Sequence, residues 1–190
     1  MSSDEFVVTP WHVEGDIDYD KLIKQFGTQK ISNEILTKMQ KITGEDHFML
    51  RRGVFFSHRD LNLILDNHEK GKEFFLYTGR GPSGHTHIGH LVPWVFAKWL
   101  QDKFDVNMYF QLTDDEKFFS KQELTLEETS NFALENALDF IALGFNPKKT
   151  KIIIDTNNIK SLYPIAAEVA KKVNFSNTKA VFGFTNETNI

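Results

Sequence analysis

Glu73-Phe-Phe-Leu-Tyr-Thr78, running straight into Gly79-Arg-Gly-Pro-Ser-Gly-His-Thr-His-Ile-Gly-His90, is the stretch that decides the fold. The first part is a continuous apolar run of strand length. Such runs are expected where a parallel strand is buried on both faces. A glycine-rich turn at 79–90 follows, and then a helix from about Thr86 to Lys103. Its apolar positions, Ile88, Leu91, Val92, Val95, Phe96, Trp99 and Leu100, recur at helical period. Pro93 falls inside this helix and removes the N–H that would reach the Gly89 carbonyl, so a kink or a loosened first turn is expected.

Outward from that unit the pattern repeats. Val106–Leu112 reads as a second strand. Thr125 and Glu128 form a capping box for a helix through Phe132, Ala133, Ala137, Phe140 and Ile141, stopped at Gly144. Lys151–Ile154 reads as a third strand, followed by a helix at 160–172 and a short apolar run at Ala180–Phe184. Strands alternating with helices imply an α/β fold, a Rossmann-like open parallel sheet with helices on both faces. Upstream, residues 6–13 suggest a short ribbon, held to an edge by Pro10. Asp18 to Phe26 suggests a helix ended by Gly27, and Ser32 an N-cap for a helix carrying Ile35, Leu36, Met39 and Ile42, closed at Gly44. Residues 54–57 are apolar, and a further helix is expected from about Asp60 to Glu69. Residues 1–70 are thus expected to be a ribbon and helical lead-in, and residues 71–190 the first part of the Rossmann-like domain.

Composition narrows the class. Hydrophobic residues make up 41% and charged residues 25% of the 190, an ordinary globular balance. Eighteen Phe against three Trp make the core lean on one aromatic. Cysteine is absent, which excludes disulfides and thiolate metal sites and points weakly to an intracellular, cytoplasmic protein. No apolar run is long enough to span a bilayer, and the start of the chain lacks the character of a secretory signal. A net charge of −4 argues against a broad electrostatic footprint for nucleic acid within these residues.

The chemistry is expected in the turn. Gly79, Gly81 and Gly84 match the G-x-G-x-x-G pattern of dinucleotide-binding proteins. That reading fails on context: Pro82 stiffens the loop, and Asp105 falls before the second strand, not after it. His87-Ile-Gly-His90 is the stronger signal. Two imidazoles three apart lie on one face of a first helical turn, where unpaired N–H groups and the positive dipole end favour phosphate. Gly89, lacking Cβ, would let a flat base approach the backbone. Imidazole N–H groups can donate to phosphoryl oxygens as charge develops there. With the carboxyl edge of an α/β sheet as the usual ligand site, nucleotide binding is the expected function.

Leu76-Tyr-Thr-Gly-Arg-Gly-Pro-Ser83, His87 to His90, Lys98-Trp-Leu-Gln101 and Gln111-Leu-Thr-Asp-Asp-Glu-Lys117 together resemble tryptophanyl-tRNA synthetases of the eukaryotic or archaeal type, a class I family. Leu50–Arg59 and Phe182-Gly-Phe-Thr185 agree, so the resemblance runs over about residues 6–190. The loop between Ser83 and His87 looks a residue shorter than in many eukaryotic members, nearer the archaeal pattern.

The resemblance implies ATP-dependent activation of tryptophan and transfer to tRNA(Trp), with Mg²⁺ accompanying ATP and no separate protein-held metal. It makes His87 and His90 catalytic. It gives Arg80, Gly81, His87, Gly89, His90 and Lys117 to ATP, and Tyr77, Gln111, Thr113 and Glu116 to tryptophan. The assignments make chemical sense. An indole N–H is a donor only and needs an acceptor, which Tyr77 and Gln111 would supply at the ligand edge. Glu116 suits the substrate ammonium. On residue types alone, Asp114 to Lys117 could equally be a solvated helix start, where acids favour the dipole. By the same resemblance Val7, Val8, Thr9 and Trp11 would fold over the ATP site, and the full-length protein would be a homodimer.

No Lys-Met-Ser-Lys-Ser type loop is found; Ser120-Lys121, Lys148-Lys149 and Lys171-Lys172 stand in the wrong contexts. The chain is therefore expected to be an N-terminal fragment, weakly active or inactive alone, with most tRNA contacts in missing C-terminal regions. A catalytically inactive ATP- or tryptophan-binding fragment and a tyrosyl-tRNA synthetase are the competing expectations.

Overall fold

A computed structural model describes residues 18–182 together with two short segments, β1 (Val7–Val8) and β2 (Val13–Glu14), which pair antiparallel. The expected ribbon thus exists as backbone, while Thr9, Trp11 and the Gly183-Phe-Thr185 part of the late motif lie outside the described residues.

The lead-in continues with α1 (Tyr19–Gln25), β3 (Gln29–Lys30), α2 (Asn33–Thr43), α3 (Phe48–Arg51), β4 (Ser57–His58) and α4 (Leu61–Glu69). Its helix ends follow the expected chemistry. The Asp18 carboxylate accepts from Asp20 N and Lys21 N, and Ser32 Oγ accepts from Ile35 N. Gly44 closes α2 at φ 77°, a left-handed cap that glycine takes without strain. The antiparallel β3–β4 pairing was not foreseen, since two residues per strand carry no periodic signal.

The α/β part contains β5 (Phe75–Arg80), α5 (Ile88–Phe104), β6 (Asn107–Leu112), α6 (Asp114–Ser120), α7 (Leu126–Ala142), β7 (Thr150–Ile154), α8 (Asp155–Ala170) and α9 (Phe175–Phe182). The three strands form one parallel sheet in the order β5-β6-β7. The α/β class and parallel sheet hold, with several corrections. Strand β5 begins two residues later and runs two further, taking in Gly79 and Arg80. It is not buried on both faces: Phe75 and Tyr77 are each 62% exposed, while Leu76 points inward. In the described residues β5 is an edge strand, and only one of its faces meets helices. Helix α8 starts at Asp155 rather than 160, directly off the end of β7. Of the short apolar run, Ala180–Phe182 belongs to α9.

The core explains the phenylalanine bias. Phe110 of β6 stacks on Phe140 of α7 at 3.8 Å, and Phe140 stacks on Phe145 at 4.1 Å. Trp94 of α5, 1% exposed, sets its edge against both Phe110 and Phe140. Of the expected helical stripe, Leu91, Phe96, Trp99 and Leu100 pack on the core, Trp94 joins them in the interior, and Ile88 does not, being 81% exposed at the start of the helix. A second cluster joins Met39, Leu50 and Leu65 of the lead-in to Phe104 and Val106, so the core crosses residue 70. Gln101, almost fully buried, is satisfied on both sides: its amide donates to Thr150 Oγ1 at 2.9 Å and accepts from Asn146 N at 2.9 Å. That pins α5 to the start of β7. No helix among the described residues is long and apolar enough to cross a membrane.

Candidate functional site

The carboxyl ends of β5, β6 and β7 deliver the candidate residues. Two groups form there, one around the glycine loop and one across the open face of the sheet.

Around the loop, Arg80 ends β5 and turns its guanidinium into the loop it precedes. Nη2 donates to the carbonyls of Gly84 (2.9 Å) and His85 (2.8 Å), and Nη1 donates to Thr86 Oγ1 at 3.1 Å and to His90 Nδ1 at 2.9 Å. Asn136 of α7 also donates to Gly84 O, at 3.2 Å. The loop is therefore held from two sides before any ligand arrives. Arg80 Nε is buried with no hydrogen-bond partner among the described residues.

His87 is the N-cap of α5 and not a residue of its first turn, so the two histidines do not share a helical face as expected. Their relation is closer than that. His87 Nδ1 accepts from Gly89 N (3.2 Å), His90 Nδ1 accepts from His87 N (3.2 Å), and the ring centres lie 3.7 Å apart. A nitrogen that accepts carries no proton, so the neutral rings hold theirs on Nε2. Burial, then the charges of Arg80 and His87, hold the His90 imidazole below the usual histidine range. With both Nδ1 atoms accepting, each ring has its Nε2–H left to donate at the helix N-terminus. Gly89 has a local reason as well: a Cβ there would sit 3.0 Å from the His87 ring, so its absence lets that ring fold back over the turn. A Cβ on Gly81 would overlap the Lys117 stem, which packs across the loop backbone.

Thr113 N donates to the Arg80 carbonyl at 3.1 Å and ties the end of β6 to the loop. Thr113 Oγ1 donates to Glu116 Oε2 at 3.4 Å, and Lys117 Nζ donates to Glu116 Oε1 at 3.1 Å. The run 114–117 is only in part a solvated helix start. Asp114 is completely buried, accepting from Thr156 N (3.1 Å) and Thr156 Oγ1 (2.5 Å), so it locks the first turn of α6 to that of α8.

Across the sheet, Tyr77 OH donates to Gln111 Oε1 at 2.5 Å, and Gln111 Nε2 donates to both oxygens of Asp155, at 2.8 and 2.9 Å. The register explains the row. Gln111 stands opposite Gly79 on β5 and Ile153 on β7, so Tyr77 and Asp155 are its diagonal neighbours, two residues back and two residues on. Gly79 makes the row possible: a Cβ there would lie 2.4 Å from the Gln111 carbonyl oxygen. Burial, then the Asp155 charge, raise the Tyr77 phenol, so it keeps its proton at neutral pH. Burial is also the main cause that lifts Asp155 to about 6, with Asp115 and Asp114 adding to it against the Gln111 hydrogen bond. Sequence reasoning missed Asp155 because its helix was expected to begin five residues later. The available signal was an acid immediately after the third strand, level with Thr113 after the second.

A family model described as class I tRNA synthetases (W and Y) matches residues 69–187. A tryptophan–tRNA ligase of Pyrobaculum calidifontis is 57% identical over 187 residues, covering 98% of this chain and 50% of that protein. One from Pyrococcus furiosus is 54% identical over 188 residues, with 98% and 49% covered. Among solved structures, Plasmodium falciparum tryptophanyl-tRNA synthetase superposes with a TM-score of 0.85 at 42% identity, over 91% of this chain and 48% of that one. The Encephalitozoon cuniculi tryptophanyl-tRNA synthetase bound to tryptophan gives 0.86 at 39%, over 91% and 51%. The chain spans about half the length of the curated relatives it matches.

Proposed function

The chain belongs to the class I tRNA synthetases for tryptophan and tyrosine, and from that premise we propose that it serves a tryptophan–tRNA ligase, binding tryptophan across the open face of the sheet and ATP over the glycine loop. The observation that carries the choice of amino acid is the Tyr77–Gln111 pair. Gln111 offers its carbonyl oxygen on that face, and the Tyr77 hydroxyl, its proton already given to Gln111, has a lone pair left. Both are acceptors for an N–H that can only donate. A ligand that covers the pair but lacks the N–H leaves a lone pair shut off from water with no donor, which costs about 1–3 kcal/mol. Glu116, with Thr113 beside it, takes the substrate ammonium.

In the reaction, a tryptophan carboxylate oxygen bonds to the α-phosphorus of ATP, the bond to the bridging oxygen breaks, and pyrophosphate leaves with its electron pair. A hydroxyl of the terminal ribose of tRNA(Trp) then bonds to the aminoacyl carbonyl carbon, and AMP leaves with the electron pair of the acyl–phosphate bond. The residues of this chain contribute position and charge. The Nε2–H groups of His87 and His90 meet phosphoryl oxygens as negative charge builds on them. Gly81 and Gly89 keep the backbone low, Lys117 closes over Gly81, and Arg80 keeps the loop in shape while holding positive charge beside it. In this reading Mg²⁺ accompanies ATP. Homodimerisation and a cytoplasmic location belong to the same reading, with residues 1–70 as lead-in and 71–190 as the start of the catalytic domain.

Isothermal titration of the chain with tryptophan, tyrosine and phenylalanine tests this. Tryptophan is expected to bind in preference to both, and Gln111→Ala to abolish the preference. Equal binding of tryptophan and phenylalanine would sink the assignment.

A further inference from the structure

Gln111 is useful to an indole only one way round. Its amide has a donor end and an acceptor end of nearly the same shape, and rotation about the last side-chain bond exchanges them. With the NH₂ turned to the ligand, a donor would face a donor. Tyr77 does not decide the matter alone, because its hydroxyl can donate to Oε1 or accept from Nε2.

Asp155 breaks the tie. It is 7% exposed, it sits at the first position of α8 off the end of β7, and both its oxygens receive Nε2 of Gln111. An ionised carboxylate has no hydrogen to give, so only the NH₂ end of the amide can face it. The carbonyl end is then turned to the open face, where Tyr77 OH meets it. The row of three runs along the register diagonal from β5 to β7, so the choice is transmitted through rigid strands and not through a loop.

We propose that Asp155 is a positioning residue for amino-acid selection, locking the Gln111 amide so that its carbonyl oxygen, and never its NH₂, is offered to the ring N–H of the substrate. This rests on the reading of Gln111 as a substrate partner. The titratable groups facing Asp155 are Asp114 and Asp115 of α6 and Tyr77 of β5. Protonation of Asp155, near pH 6, gives it a donor of its own and loosens the lock.

Two measurements on the chain test it. The first needs no ligand: the side-chain amide signals of Gln111 are followed by NMR from about pH 5 to about pH 8. They are expected to shift with a midpoint near 6 in the parent chain and to stay still in Asp155→Asn. Signals that stay still in the parent overturn the proposal. The second compares binding of tryptophan with its benzothienyl analogue, in which sulfur replaces the ring N–H. The parent is expected to favour tryptophan by about tenfold or more. Asp155→Ala should bring the ratio close to one by weakening tryptophan alone, and Asp155→Asn, which still offers a carbonyl to Nε2, should keep part of it. A folded Asp155→Ala that keeps the full ratio while Gln111→Ala loses it overturns the role of Asp155 only. If Gln111→Ala itself keeps the ratio, the reading of Gln111 as the indole partner fails.

Discussion

Arg80 donates through Nη1 to His90 Nδ1 at 2.9 Å, so a residue at the end of β5 joins the His87 N–H in keeping the proton off that nitrogen of a histidine ten residues later. Removing it has two separable effects. Arg80→Ala also strips the loop of its contacts to Gly84, His85 and Thr86. A loss of about 2–3 kcal/mol is expected, since hydrogen bonds from a charged donor are worth more than neutral ones. In a domain of this size that lowers Tm by about 5–10 °C. The imidazole should also titrate higher, though burial, the largest cause, remains. A depressed histidine stabilises the fold fully above its unfolded value of about 6.5 and loses that stabilisation as pH falls through it. NMR titration of His90 in the parent and Arg80→Ala checks the shift; an unmoved midpoint would contradict it.

Gly79 and Gly84 both belong to the G-x-G-x-x-G pattern, and the structure separates them. A Cβ at Gly79 would strike the backbone oxygen of Gln111 at 2.4 Å, and strand backbone cannot yield as a side chain does. A Cβ at Gly84 meets nothing within 4 Å, and its φ is not in the left-handed region. Gly79→Ala should therefore cost about 1–3 kcal/mol through overpacking, while Gly84→Ala should be close to neutral. Urea unfolding midpoints compare the two directly, and a Gly79→Ala midpoint equal to that of the parent would refute the close approach.

Much of this fold was legible in the sequence because its signals are local. Asp18, Ser32 and Thr125 announce helix starts by side-chain caps, and Gly27, Gly44 and Gly144 announce ends by positive φ. What sequence could not supply was the partner across a strand. The exposed face of β5 depends on how many strands lie beside it, which no run of apolar residues records. The two histidines were visible as a motif. Their close approach, and the Nδ1 bonds that go with it, depend on His87 standing outside the helix as its cap. Asp155 is not singled out in the sequence, and Asp114 stays open between a site motif and a solvated helix start, because their partners, Gln111 and Thr156, lie more than forty residues away.

Asp155 gives the chain a pH-dependent stability of defined sign. Its folded-state value, about 6, lies above the ordinary 3.8, so between those values the folded state holds a proton that the unfolded state has released. Its contribution is most favourable below the ordinary value and is lost as pH rises through about 6. Asp155→Asn removes that dependence. Relative to the parent, the variant should therefore be more stable at about pH 7.5 than at about pH 5, the cost of ionising a buried carboxylate being gone. Other titrating groups cancel in the difference between the two proteins. Paired urea unfolding curves at both pH values measure it, and a difference that does not change with pH would show that Asp155 is not the group responsible.

Asp114 links stability to the site in a way that Thr156 can isolate. The carboxylate is completely buried, and it accepts from both the backbone N–H and the hydroxyl of Thr156 at the start of α8. Two residues along α6 stands Glu116, the proposed ammonium partner. Asp114→Ala leaves the Thr156 N–H and hydroxyl without their acceptor and frees one helix start from the other, which should cost about 2–3 kcal/mol. Thr156→Val removes only the hydroxyl and keeps the backbone donor paired, so about 1 kcal/mol or less is expected. Tryptophan affinity should follow the same order, because α6 sets where Glu116 stands. Urea midpoints and tryptophan titrations on both variants test the argument. Equal losses in the two would mean that the hydroxyl alone carries the clamp, and an unchanged tryptophan affinity in a folded Asp114→Ala would mean that Glu116 is positioned by Thr113 and Lys117 without it.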